Sequence, residues 1–246
     1  MFYDATPFSR CSDNGAPAGA DLQEPGLHAL IPEELTLSAY VGNDPVNAAD
    51  PAGTSCTPAG TQSNGAPAFS CKIDAVATIG KINGQLTVIG VRPVDGRDGR
   101  RFDAFNARYT ETTNRLASQA HAQPGRTVTV RPFGPNKEGS FTTTPGNMAR
   151  ELIQRTVQYA TEGPSGAAMA TSGGPGTQQS PFTYVFRSGL NAGPSGIGHE
   201  IGLHGSRDED AGGLQTPENL LGKRFQDAHQ RPYQDAACDA LGGKRC

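Results

Sequence analysis

The chain has 246 residues, room for one large or two small domains, and 32 Gly and 19 Pro with no Trp, a loop-rich composition. No stretch approaches the roughly 18 apolar residues of a membrane span, and Met1-Phe2-Tyr3-Asp4 lacks the basic-then-apolar build of a signal peptide. The net charge of -3 conceals a break after Gly53, with a balance of -7 before it and +4 beyond; that mild excess permits a nucleic-acid partner without arguing for one.

The first informative segment is Leu37 to Gly53. It contains Tyr40, then Asn43-Asp44-Pro45-Val46-Asn47 and Asp50-Pro51-Ala52-Gly53. Two Asp-Pro steps and two Asn within a few positions make a turn-rich run, because Pro restricts its predecessor and Asn and Asp bond their own backbone. This segment resembles the end of the core of Rhs-repeat polymorphic toxins, which closes on such an element. The resemblance covers about residues 31–53, with Tyr3-Asp4 as a possible outlier, and departs from the family at Thr54, where members carry a hydrophobic residue. It implies an Rhs-core remnant over 1–53, cleavage after it, and a toxin domain delivered or secreted through a larger Rhs carrier. It also implies the partners: the Rhs shell, a secretion machine and a cognate immunity protein.

Residues 54–71, rich in Gly, Pro, Ser and Thr, read as a linker, with the toxin domain following over 72–246. Cys56 and Cys71 flank this run, and a disulfide between them is expected in an oxidising compartment, free thiols in a reducing one. Cys238 and Cys246 form a second candidate pair.

Within 72–246, alternation from Val76 to Arg92 around Asn83-Gly84 predicts a β-hairpin. Phe102, Phe105, Tyr109 and Leu116 share a helical face over 101–119. Thr127 to Val130 suggests a strand. A helix is expected from an Asn147 N-cap to Gly163, with Met148, Leu152, Ile153 and Val157 inward. Phe182 to Phe186 reads as a strand, suited to an edge that aligns an extended peptide, and Pro232 to Cys238 as the start of a final helix. The mixture predicts a compact α+β domain.

The chemistry concentrates in Gly196-Ile197-Gly198-His199-Glu200-Ile201-Gly202-Leu203-His204-Gly205. His-Glu-x-x-His on a helix sets two imidazoles one turn apart on a metal, with the Glu beside its water. Here the second His comes one residue late, and on an α-helix a five-residue step leaves it some 140° around. A one-residue π-bulge restores the alignment. The spacing is similar to that of dipeptidyl peptidase III. On this reading His199 and His204 bind Zn²⁺ and Glu200 is the catalytic base, acting with the metal ligand His199 on a protein substrate. The third ligand comes from Glu209, Glu218, His229 or Asp235.

A rival reading takes His199, Asn219 and His229 as an HNH-like nuclease, a ββα unit holding Mg²⁺ or another divalent ion and acting on nucleic acid. A third takes Cys238 as a nucleophile with His204 or His229 as its base.

Overall fold

The computed structural model describes residues 55–82, 85–134, 140–163, 167–172, 182–206 and 229–243. The chain divides into two units, Met1–Asp50 and Pro51–Cys246, and every described residue belongs to the second. The Rhs-like segment, including Leu37 to Gly53, lies outside the described residues.

The fold class is α+β. The run expected as a linker is instead the opening β-hairpin of the domain: β1 (Cys56–Thr61) pairs antiparallel with β2 (Pro67–Cys71). Cys56 and Cys71 stand opposite each other and are joined by a disulfide, S–S 2.01 Å. Gly65 turns the hairpin at φ 87°, and Gly60, at φ 94°, sits at the register irregularity between Pro58 and Thr61. One edge of β2 is completed by a helix. The side chains of Asn106, Thr110 and Asn114, one turn apart, accept from the N–H groups of Ile73, Cys71 and Phe69 at 2.8–2.9 Å. Thr110 and Asn114 also donate back to the carbonyls of Cys71 and Phe69. Composition alone hides this, because the partners lie some 40 residues away.

On either side of the hairpin, Ser55 and Asp74 hydrogen-bond through their side chains, and the Ser55 hydroxyl also accepts from Val157 N–H at 2.6 Å. The main sheet begins with the hairpin β3 (Ala75–Ile82) and β4 (Gln85–Pro93). Its strand order is β4, β3, then 156–160, 182–185 and 169–172. β7 (Thr156–Ala160) runs parallel to β3 and to β9 (Phe182–Val185), while β8 (Met169–Ser172) closes the sheet antiparallel to β9. β9 is therefore an interior strand, which overturns the edge role expected for it; among the described residues β8 and β4 are the edges. Ile89 and Val91 of β4 stay exposed.

The long helix α1 (Gly96–Ala122) starts at an Asp95 capping box with Asp98 and buries Phe102, Phe105, Tyr109, Leu116 and Ala117. A two-stranded sheet, β5 (Val128–Val130) with β6 (Phe141–Thr143), leads to α2 (Pro145–Gln154). Two expectations fail here. The cap of α2 is Thr144, whose hydroxyl accepts from Asn147 N–H at 3.0 Å, because Pro145 presets the first helical φ. The helix also stops at Gln154 instead of reaching Gly163, since the β-branched pair Thr156-Val157 enters the sheet between β3 and β9. Pairing with two neighbours outweighs the helical phase that Val157 shares with Leu152 and Ile153.

After a 3-10 turn (Gly189–Asn191) come α3 (Pro194–Ile197), a π-helical turn (Gly198–Leu203) and, later in the chain, α4 (Gln230–Ala240). Among the described residues no helix is long and apolar enough to cross a membrane.

Candidate metal centre

The histidine-bearing segment is fixed at both ends before any question of chemistry arises. The Arg108 side chain on α1 donates to the carbonyls of Leu190 and Ala192, which pins the chain entering α3. Pro194 then occupies the first turn of α3. From Gly198 the backbone widens into the π turn, and His204 N–H donates to His199 C=O, five residues back. The extra residue per turn brings position 204 back over 199.

Glycines make the close approach of this turn to its neighbours possible. A Cβ on Gly202 would lie 3.1 Å from Met148 and 3.2 Å from Leu152 of α2. One on Gly205 would lie 2.6 Å from Glu151 Oε2 and 2.8 Å from Arg155 Nη2. Glu151 and Arg155 form an ion pair at 2.8 Å with both side chains almost wholly buried. The residue after His204 thus rests on a buried ion pair.

The result is convergence. His199 Nε2 and His204 Nε2 are 3.2 Å apart. His229, at the N-cap of α4, completes the group, and one ligand atom from each of the three rings lies within 4.8 Å of the others. Ring centres are separated by 5.1, 5.4 and 5.5 Å. Imidazole nitrogens about 2.1 Å from one tetrahedral ion would stand about 3.4 Å apart, with ring centres about 5.3 Å apart. The donor set fits a metal ion.

Electrostatics favour ligand-ready rings. Burial first, then the neighbouring His204 and His229, push the His199 imidazole well below its ordinary range, a shift opposed by a hydrogen bond with the Gln234 side chain. His199 and His229 are 2% and 5% exposed, and His204 is half-buried. Gln230 Nε2 lies 3.2 Å from His229 Nε2. The buried ring of Tyr233 stacks on His204 at 4.7 Å and 26°, and sits 5.2 and 5.4 Å from His199 and His229.

Glu200 follows His199 in the π turn and is half-buried; its carbonyl accepts from Thr171 Oγ1 of β8 at 2.8 Å. Of the candidate third ligands, His229 joins the cluster. Asp235 does not: its carboxylate is 74% exposed and 3.7 Å from Arg231. Glu209, Glu218 and Asn219 lie outside the described residues. Cys238 is disulfide-bonded, so in this form it carries no thiolate to act as a nucleophile. His199 sits on helical backbone, and residues 207–228, which carry Asn219 of the HNH-like reading, lie outside the described residues.

Sequence reasoning passed over Tyr233, Gln234 and Ser195, which surround His199 from α4 and α3. No spacing rule links a residue at 234 to one at 199; only the packing of α4 on the π turn does. No family model matches the chain, and neither a curated protein nor a solved structure matches it.

Proposed function

We propose that the domain beyond residue 53 is a zinc-dependent hydrolase of the peptidase type, the toxic tip of an Rhs-type protein, with His199, His204 and His229 as metal ligands. The observation that carries this reading is the 3.2 Å approach of His204 Nε2 to His199 Nε2, produced by a π turn at the one place where the five-residue spacing needs it. The three imidazoles would hold the Zn²⁺, which when bound would supply an acidified water and a polarised carbonyl for the reaction.

Glu200 is the general base. Its carboxylate takes a proton from the attacking water as oxygen bonds to the amide carbon, then passes that proton to the amide nitrogen as the C–N bond breaks, yielding an acid and an amine. A peptide substrate is supported by β8, which edges the sheet among the described residues and is tied to Glu200 by Thr171. The Rhs reading of residues 31–53 adds a cognate immunity protein and delivery into target cells by a larger carrier.

An HNH-like nuclease would use His199, His229 and Asn219 with Mg²⁺ or another divalent ion on nucleic acid, and would leave His204 without a task. His204→Ala and Asn219→Ala therefore separate the two. The expected result is that His204→Ala loses stoichiometric zinc and toxicity in cells lacking immunity, while Asn219→Ala keeps both. The reverse pattern, with metal-dependent degradation of DNA or RNA, would replace the peptidase by the nuclease.

A further inference from the structure

A crevice apart from the histidines follows from the order of the strands. β7 and β9 run parallel and side by side, so both end at the same edge of the sheet, and β8, antiparallel to β9, begins there. The chain that leaves β7 at Thr161 and enters β8 at Met169 must skip β9, which lies between them. A crevice of about 500 Å³ is left at the end of β9, lined by residues on the exits of β7 and β9 and by Ala167 at the entry to β8. Sheets that carry parallel strands take small ligands at such a place, beyond the carboxyl ends of strands where the spatial order departs from the chain order. The volume also lies within the roughly 300–1,000 Å³ of small-molecule sites.

The walls are tied to the sheet and to one another. Phe186 N–H donates to Ala168 C=O at 3.0 Å and Ser188 Oγ donates to Ala167 C=O at 3.0 Å, which joins the exit of β9 to the entry of β8. Thr161 N–H donates to Ala77 C=O, and Thr161 Oγ1 accepts from Ile79 N–H at 3.0 Å, which joins the exit of β7 to β3. Two glycines permit approaches that a side chain would block. A Cβ on Gly163 would lie 2.5 Å from the Phe186 ring, and one on Gly189 would lie 2.1 Å from the Ala168 carbonyl oxygen. Phe186 gives the crevice a buried aromatic wall, while Glu162 and Arg187, both exposed, line it with opposite charges. Among the described residues neither of these two side chains makes an ion pair or a hydrogen bond, with the other or with a third group.

We propose that this crevice binds a small zwitterion of the amino-acid or dipeptide type, with its ammonium at Glu162, its carboxylate at Arg187 and its apolar part against Phe186. Two opposite charges that line one crevice without neutralising each other are complementary to a molecule that carries both signs. The planar guanidinium can take a carboxylate through two parallel N–H donors, and the Glu162 carboxylate can accept from an ammonium. A ligand of a single sign would satisfy one of these groups and be repelled by the other. The zwitterion site stands apart from the metal reading, since no histidine of the cluster lines the crevice.

The probe is the dipeptide glycyl-phenylalanine, titrated into the full chain beside its N-acetyl and C-terminal amide forms and followed by backbone amide NMR. The free dipeptide should shift the amides of Gly163, Arg187, Ser188 and Asn191 to saturation. Blocking either end should weaken binding roughly 3–5-fold, the scale of one exposed charge pair. Glu162→Gln should weaken the free dipeptide by a similar factor and leave the N-acetyl form unaffected, and Arg187→Gln should do the same for the free dipeptide and the amide. That pairing of residue with ligand end is the coupling a double-mutant cycle measures. Both substituted side chains are exposed, and an unchanged amide spectrum away from the crevice verifies that each variant folds. The absence of saturable shifts at these four residues overturns the proposal. So does binding that ignores both blocked ends, or losses from residue and ligand end that simply add, because the charges would then not be what the crevice reads. Zinc enters none of these measurements, so failure here leaves the metal reading untouched, and failure of the metal reading leaves this site standing.

Discussion

Two glycine-rich regions of this molecule look alike in composition and differ in cause. In the β1–β2 hairpin, Gly60 and Gly65 have positive φ and supply backbone conformations that other residues adopt at a cost. At the π turn and just beyond it, Gly202 and Gly205 matter because a Cβ on either would crowd the side chains of α2 and of Arg155 at its end. The first region is fastened by a disulfide and by the side chains of α1; the second is fastened by packing on α2 and by hydrogen bonds from Arg108 and Thr171 to its backbone and to the chain entering it. Glycine content therefore says little about looseness until the reason for each glycine is known.

The comparison breaks most sharply at Gly205. Gly205→Ala drives a methyl into the buried Glu151–Arg155 pair, and the expected loss is roughly 3 kcal/mol of stability, toward the upper end for overpacking, together with a large drop in zinc affinity because His204 moves. Gly65→Ala should behave differently, losing about 1–2 kcal/mol through backbone strain and leaving zinc affinity unchanged. Chemical denaturation paired with zinc titration reads both quantities. If Gly65→Ala damages the metal site as much as Gly205→Ala does, the two regions are not separate in the way described.

Replacing Cys56 and Cys71 together by Ser tests the hairpin's fastening. With a sequence separation of 15 between the half-cystines, the chain-entropy model gives a loss of about 3 kcal/mol. A melt of the double variant beside the wild type, under non-reducing conditions, should show this shift, with zinc stoichiometry kept at temperatures where the domain stays folded. An unshifted melt would mean that the Asn106, Thr110 and Asn114 contacts hold the hairpin unaided.

The mildest effect is expected from acid, and only on the side of the π turn. His199 resists protonation in the folded state, whereas in the unfolded chain it protonates at its ordinary value of about 6.5. The unfolded state thus binds more protons between that value and the depressed folded one, so stability is full above about pH 6.5 and declines as pH falls through this window. Zinc-free wild type should show the decline in urea titrations, and His199→Gln should flatten it. A slope of equal size in both proteins would assign the effect to other groups.

How far the sequence could be read follows the same division between local and distant causes. The hairpin around residues 83–84 was legible because period-two alternation and Asn-Gly are local signals. The pairing of His199 with His204 was legible too, since a five-residue spacing on a helix has few geometric solutions. His229 entered only as one of four candidates, because nothing in the sequence says which face of α4 meets the π turn. Asp235 fails by helix phase: two residues beyond the buried Tyr233, it points to solvent. The Cys56–Cys71 bridge was legible, but the hairpin it joins was hidden for a related reason, its other partners being three polar side chains on a distant helix. The role of the π-turn glycines was also illegible, as a missing Cβ has meaning only beside the atoms it would strike.

The π turn also says something about how such a site could arise and change. One residue separates a widened turn from a regular one, so a single-codon deletion between Glu200 and His204 would bring the spacing to the four residues that an α-helix uses. Everything after the deletion would then rotate by about 100°. The glycine following the second histidine would leave the Glu151–Arg155 pair, and a residue with a side chain would enter that gap. The five-residue form is thus guarded by its neighbours: the shorter motif is one mutation away in the gene, yet the surrounding packing must change before the shorter motif can be accommodated.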